Sequence, residues 1–232
     1  MARRPPVDAT AVLRHGAKRL GVAVTDAAIA TLARYAAELE KWNARINLVG
    51  PGTLAEFLEL HFLDSLTLAP TLDGLASPDG PVRLLDVGTG AGFPGLVLKI
   101  ARPHLDLVLL DPRQKRGTFL RHMVRTLGLA GVAVVEGRLP EDAPIAAKGG
   151  LFQAITCRAL TDLSSFLALA EPLLAPQGRI LCMKGPRAEQ ELGDWQEVRP
   201  SAPSLVLENH VETSLPFSGA SRQILIFSRA GG

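Results

Sequence analysis

The chain has 232 residues, 47% of them apolar, and a formal net charge of only +2; this is enough for one sizeable core and too little charge for composition to announce a nucleic-acid binder. No run approaches the roughly 18 consecutive apolar residues of a membrane span, and the opening Met1-Ala2-Arg3-Arg4-Pro5-Pro6 lacks the apolar stretch of a secretory signal. Cys157 and Cys182 each sit in an apolar run and form neither a disulfide framework nor a metal-ligand spacing, which points to the cytosol and to a protein without a metal.

Three helical patterns fill the first third. One runs from about Asp8 to Leu20 and an alanine-rich second from Thr25 or Asp26 to about Trp42. After the linker Gly50-Pro51-Gly52 a third opens at Thr53, where Thr53 and Glu56 have the spacing of a capping box. The turn-rich Ser77-Pro78-Asp79-Gly80-Pro81 then divides a helical segment, 1–80, from a main domain, 81–232.

From Val82 the pattern alternates. Strands are predicted at Val82–Val87, Leu105–Asp111, Val132–Glu136, Phe152–Cys157 and Arg179–Met183. Helices are predicted from Pro94, over Arg113–Leu127, and over about Asp162–Leu174, the last ended by Pro176-Gln177-Gly178. Ser204–Val211 and Arg222–Phe227 have no clear helix between them and read as a closing antiparallel pair. The fold class is therefore α/β: a doubly wound, mostly parallel, seven-stranded sheet covered on both faces.

The chemistry is concentrated in Asp86-Val-Gly88-Thr-Gly90-Ala-Gly92-Phe93-Pro-Gly95, a loop that leaves a strand and opens a helix. Ligands of open α/β sheets bind at that place. Gly90-x-Gly92-x-x-Gly95 also satisfies the dinucleotide fingerprint, so the spacing alone does not choose the nucleotide. Asp111, ending the second strand, suits a ribose diol in either class of cofactor. Asp86, ahead of the first glycine, does choose: its carboxylate would repel a pyrophosphate and welcome the cationic amino-acid end of S-adenosylmethionine.

Further motifs carry a resemblance. Lys41-Trp42-Asn43 with Asn47-Leu48, His61-Phe-Leu-Asp64-Ser65, the glycine loop, Leu110-Asp111 with Lys115-Arg116 and Phe119-Leu120, Glu136-Gly-Arg138, Cys157-Arg158-Ala159 and Met183-Lys184-Gly185 follow one another in an order and spacing that resembles the ribosomal RNA small subunit methyltransferase G family. Val49, Cys157 and Pro140 depart from its usual residues. The resemblance implies a methyltransferase with a Rossmann-like class I fold. Its cofactor would be S-adenosyl-L-methionine and its product 16S ribosomal RNA methylated at N7 of one guanine (guanine 527, in the 530 loop). It further implies that Gly88, Phe93, Leu139, Pro140 and Arg158 contact the cofactor, beside Asp86, Gly90 and Asp111. Candidate RNA contacts are Lys115, Arg116, Arg138 and Lys184. The partner would be 16S ribosomal RNA or a precursor of the small subunit, with no membrane, and the protein is expected to act as a cytoplasmic monomer.

Guanine N7 carries no proton before attack, so no catalytic base is expected and the work is positioning. Cys157 reads as a buried thiol and Trp42 as an anchor; His61 and Asp64 cap or pack the helical segment, since two ligands alone make no metal site. Five cations, Arg113, Lys115, Arg116, Arg121 and Arg125, lie together without an acid among them. Two other readings stay open on the residues: an NAD-dependent oxidoreductase using the same loop, and a catalytically silent assembly factor of ribosomal particles.

Overall fold

The computed structural model describes residues 7–75, 80–158, 162–198 and 204–231; residues 77–79 of the expected junction and Ala159 lie outside them. Helix α1 (Ala9–Arg19) is capped by Asp8, α2 (Asp26–Ile46) by Thr25, and α3 (Leu54–Phe57) by the reciprocal Thr53–Glu56 box. The third helical pattern is not one helix. A π-helical turn (Leu58–Leu63) separates α3 from α4 (Asp64–Leu66), and α5 (Ala69–Asp73) follows. Such a turn re-aims side chains relative to an α-helical run, a device common at functional sites.

The strands are β1 (Arg83–Val87), β2 (Asp106–Asp111), β3 (Val132–Glu136), β4 (Phe152–Arg158), β5 (Leu174–Lys184), β6 (Leu205–Ser214) and β7 (Ser221–Arg229). They form one sheet in the order β3-β2-β1-β4-β5-β7-β6, parallel through β5, with β7 antiparallel to both β5 and β6. The order reverses between β1 and β4, so the crevice for a ligand opens beyond the ends of those two strands.

Period-two alternation sends successive apolar residues to opposite faces. Leu84, Leu107, Leu109 and Leu181 share a core with Leu13, Leu32, Leu39, Phe62 and Phe119, so the N-terminal helices have no core of their own. They pack with α6 (Gly95–Ala101) and α7 (Gln114–Leu127) on that face. Trp42 lies 5.6 Å from Phe119 and 5.0 Å from His122 between ring centroids, fastening α2 to α7. Leu85, Val87, Ile155, Ile180 and Phe227 face the other core, which is closed by α8 (Ala143–Ala146), α9 (Leu163–Ala170) and α10 (Ala188–Val198).

One expectation is corrected here. The helix expected to reach Leu174 ends at Ala170 and tightens into a 3₁₀ turn, Glu171–Leu173; the Pro176-Gln177-Gly178 break lies inside β5. Proline fits because the β4–β5 register slips there, between Phe152 and Ala154, and Gly178 admits the Phe152 carbonyl to within 2.8 Å of where a Cβ would stand. As expected, no helix separates β6 from β7; between β5 and β6, where no element was expected, lies a helix, α10, which buries Ala188 and Trp195 beneath a mostly acidic face.

Candidate active site

The loop between β1 and α6 is held from below and from the side. Asp86 is wholly buried; its Oδ2 accepts from Thr89 Oγ1 at 2.6 Å and from the Gly95 N–H at 2.8 Å. A Cβ on Gly95 would stand 2.7 Å from that same oxygen, so the helix start can approach the strand only as glycine. Oδ1 is buried and has no hydrogen-bond partner among the described residues. Burial pushes Asp86 up to about 6 despite the bonds from Thr89 and Gly95 and the pull of Arg158. Asp86 is thus a clamp under the loop with one acceptor left over, rather than a carboxylate open to solvent.

Asp111, 2% exposed, is more fully engaged. Its Oδ2 accepts from the Gly90 N–H and from Arg116 Nη1, both at 3.0 Å, and its Oδ1 from the Arg113 N–H at 2.9 Å. A ribose diol at Asp111 has to share that carboxylate with Arg116. Gly88 and Gly90 have φ of 68° and 61° and bend the backbone around this point.

Phe93 anchors the loop. Its ring, 2% exposed, is stacked on Tyr35 at 5.5 Å and on His61 at 5.0 Å, and meets Phe62 edge-on at 5.2 Å. The buried Tyr35 hydroxyl donates to the Ala91 carbonyl. Helix α2 and the π-turn therefore brace the loop directly, which the sequence did not announce. Leu139 is buried in the far core and Pro140 is exposed beside it, after β3.

Arg158, ending β4, lies with Cζ 5.3 Å from the Phe93 ring centre. It donates to the Leu60 carbonyl at 3.0 Å and to Asp64 Oδ2 at 3.5 Å, while Arg222 Nε donates to Asp64 Oδ1 at 2.9 Å. One carboxylate thus gathers two guanidinium groups from β4 and β7. Burial pushes Asp64 up from the ordinary carboxylate range even against the pull of Arg222 and Arg158. His61, in the same turn, is lowered to about 4 by burial first and by Arg158 second, so it stands neutral at pH 7. Arg222 was invisible in the sequence because it begins an ordinary strand; only the Asp64 contact marks it.

The expected RNA contacts part company. Lys115 and Arg138 are exposed. Arg116 is drawn to Asp111 and Arg121 to Glu136, so acids from neighbouring strands neutralise part of the basic run. Lys184, at 7% exposure, bonds Glu191 of α10 at 2.6 Å, so α10 holds its charge within the fold. Cys157 and Cys182 are free, buried and opposite one another on β4 and β5; burial pushes the Cys157 thiol up, away from the nucleophilic thiolate.

A glycine loop at the switch point, a buried acceptor awaiting a donor, and a carboxylate at the end of the next strand fit S-adenosylmethionine, and the molecule is a methyltransferase of class I architecture that uses that cofactor. The profile of the family described as "rRNA small subunit methyltransferase G" matches residues 28–223. The chain is 45% identical over 215 residues to the ribosomal RNA small subunit methyltransferase G of Desulfotalea psychrophila, covering 92% of this chain and 95% of that one. With its namesake in Myxococcus xanthus it shares 38% over 218 residues, 94% and 95% of the two chains. The chain belongs to this family. Among solved structures, a cofactor-bound protein from MTB superposes with a TM-score of 0.62 over 98% of this chain and 100% of that one, at 18% identity, a likeness of fold.

Proposed function

We propose that this protein transfers the methyl group of S-adenosylmethionine to N7 of one guanine in 16S ribosomal RNA, guanine 527 of the 530 loop, acting as a cytoplasmic monomer on the RNA or on an assembling small subunit. The observation that carries the cofactor half is the partnerless Asp86 Oδ1 beneath the loop, an acceptor that the ammonium of a sulfonium amino acid would satisfy. The names of the relatives support the RNA half.

Bound there, the cofactor supplies an electrophilic methyl. Asp86, Gly88, Gly90 and Asp111 would hold it, with Phe93 fixing the loop and Arg158 facing the cofactor carboxylate or a nearby phosphate. Leu139 and Pro140 would border the adenine. Lys115, Arg138 and, when released from Asp111, Arg116 would meet RNA phosphates. Guanine N7 attacks with a lone pair and loses no proton, so the chain's task is alignment. Positive charge develops on the guanine as the methyl arrives, and a neutral His61 beside Phe93 does not oppose it.

The test uses methyl-labelled cofactor with 16S ribosomal RNA or small subunits, followed by nucleoside analysis of the digest. Label in 7-methylguanosine is expected. Label in another nucleoside overturns the target, label in none favours a silent binder, and calorimetry showing NAD bound in preference overturns the cofactor.

A further inference from the structure

Of the Phe, Tyr and Trp rings among the described residues, only Phe217 is left exposed, at 44%. It stands on the turn between β6 and β7, which closes where Ser214 pairs with Ser221; the next β7 residues but one, Gln223, pairs with Lys184 at the end of β5. The turn therefore projects from the same edge of the sheet as the glycine loop.

The turn is built to hold its shape. Glu59, a buried carboxylate of the π-turn, accepts the Phe217 N–H at 2.7 Å and the Ser218 N–H at 2.8 Å. Leu215 donates to the Ala220 carbonyl at 2.9 Å and accepts from the Gly219 N–H at 3.0 Å. Burying a carboxylate is costly, and here two backbone N–H donors offset that cost and fix the turn that carries the ring. The neighbouring residues of Glu59 register this turn to the site: the Leu60 carbonyl takes Arg158, and His61 stacks on Phe93.

The flank of the ring defines what it would take. His15 of α1 lies nearly parallel to it, 17° apart with centroids at 5.9 Å, and Arg19 Cζ is 5.8 Å from its centre. Both are exposed, as is Lys18, and α1 contains no acid. A single ring beside Arg19 and Lys18 is a poor apolar seat for a protein and a good one for an unpaired base with its phosphate. We propose that Phe217 is a stacking platform for an unpaired RNA base near the target nucleotide, with Arg19 serving the adjoining phosphate. This rests on the RNA reading above and adds a stacking contact to it.

The experiment compares Phe217→Ala and Phe217→Trp with the wild type in binding a 16S ribosomal RNA fragment that carries the 530 loop, across a salt series, with calorimetry on S-adenosylhomocysteine and thermal melting alongside. Phe217→Ala is expected to weaken RNA binding about tenfold, with an unchanged salt slope and unchanged cofactor affinity, because stacking involves no phosphate. Phe217→Trp should restore affinity to within about threefold, and its added fluorescence should be quenched by the RNA. RNA affinity of Phe217→Ala within about twofold of wild type, parallel loss of cofactor affinity, or a defect seen only with intact subunits and not with RNA alone would each overturn the proposal. If the wild type binds cofactor but neither the RNA fragment nor small subunits, the function reading falls along with it.

Discussion

The glycine loop and the arginine rim lie on one edge of the sheet and are made in opposite ways. The loop is contiguous, residues 86–95, and its turn is set by its own backbone and Asp86 while Asp111, Tyr35 and His61 brace it from outside. The rim joins Asp64 to residues 94 and 158 positions further along, Arg158 and Arg222, through one carboxylate. In the loop the difficulty is steric and glycine resolves it; in the rim the difficulty is charge and pairing resolves it. A substitution should therefore disable the two regions differently.

The largest effect is expected at Gly92, whose φ is +97° and whose Cβ would meet Leu96 at 2.5 Å and the Tyr35 hydroxyl at 2.7 Å. Gly92→Val should cost about 2–4 kcal/mol in denaturant unfolding and lower cofactor affinity by about a hundredfold or more. A variant that kept both would break the idea that the loop is sterically determined.

Next is Asp64→Ala, which leaves two guanidinium groups without their carboxylate. Breaking a fully buried pair costs about 3–5 kcal/mol; with both arginine side chains roughly a fifth exposed, about 1–3 kcal/mol is expected, and less for Asp64→Asn. RNA methylation should fall about tenfold or more with cofactor affinity within about fivefold of wild type. Equal loss of both would mean that loop and rim act as one unit.

The smallest effect concerns pH. Because Asp86 in the free protein is raised from 3.8 to about 6, folding favours its protonated form: this contribution to stability is present below pH 3.8 and is lost as pH rises through about 6. Cofactor binding has the opposite sign, since an ammonium at Oδ1 favours the ionised form. Affinity measured by calorimetry should weaken about tenfold from pH 7 to pH 5, and Asp86→Asn should be weak and flat across that range. A flat wild-type profile would mean that Asp86 only clamps the loop.

Strands β1 to β4, the Thr53–Glu56 box and the loop were readable because each rests on neighbours a few residues apart. Helix α10 was missed because only Ala188 and Trp195 are buried, with Leu192 half-buried, within an acidic stretch, and with it went the pairing of Lys184. The helix expected to reach Leu174 ends at Ala170 instead, and Pro176 lies within β5, where a register slip accommodates it.

By itself the sequence determined the alternation of strands and helices, the crevice after β1 and the family, all consequences of short-range periodicity and backbone geometry. Only the tertiary structure decided which charges are usable. Asp111 is engaged by Arg116, Lys184 by Glu191, and Asp64 by Arg158 and Arg222, because a charge is neutralised by what lies within a few ångströms in space, whatever its distance along the chain.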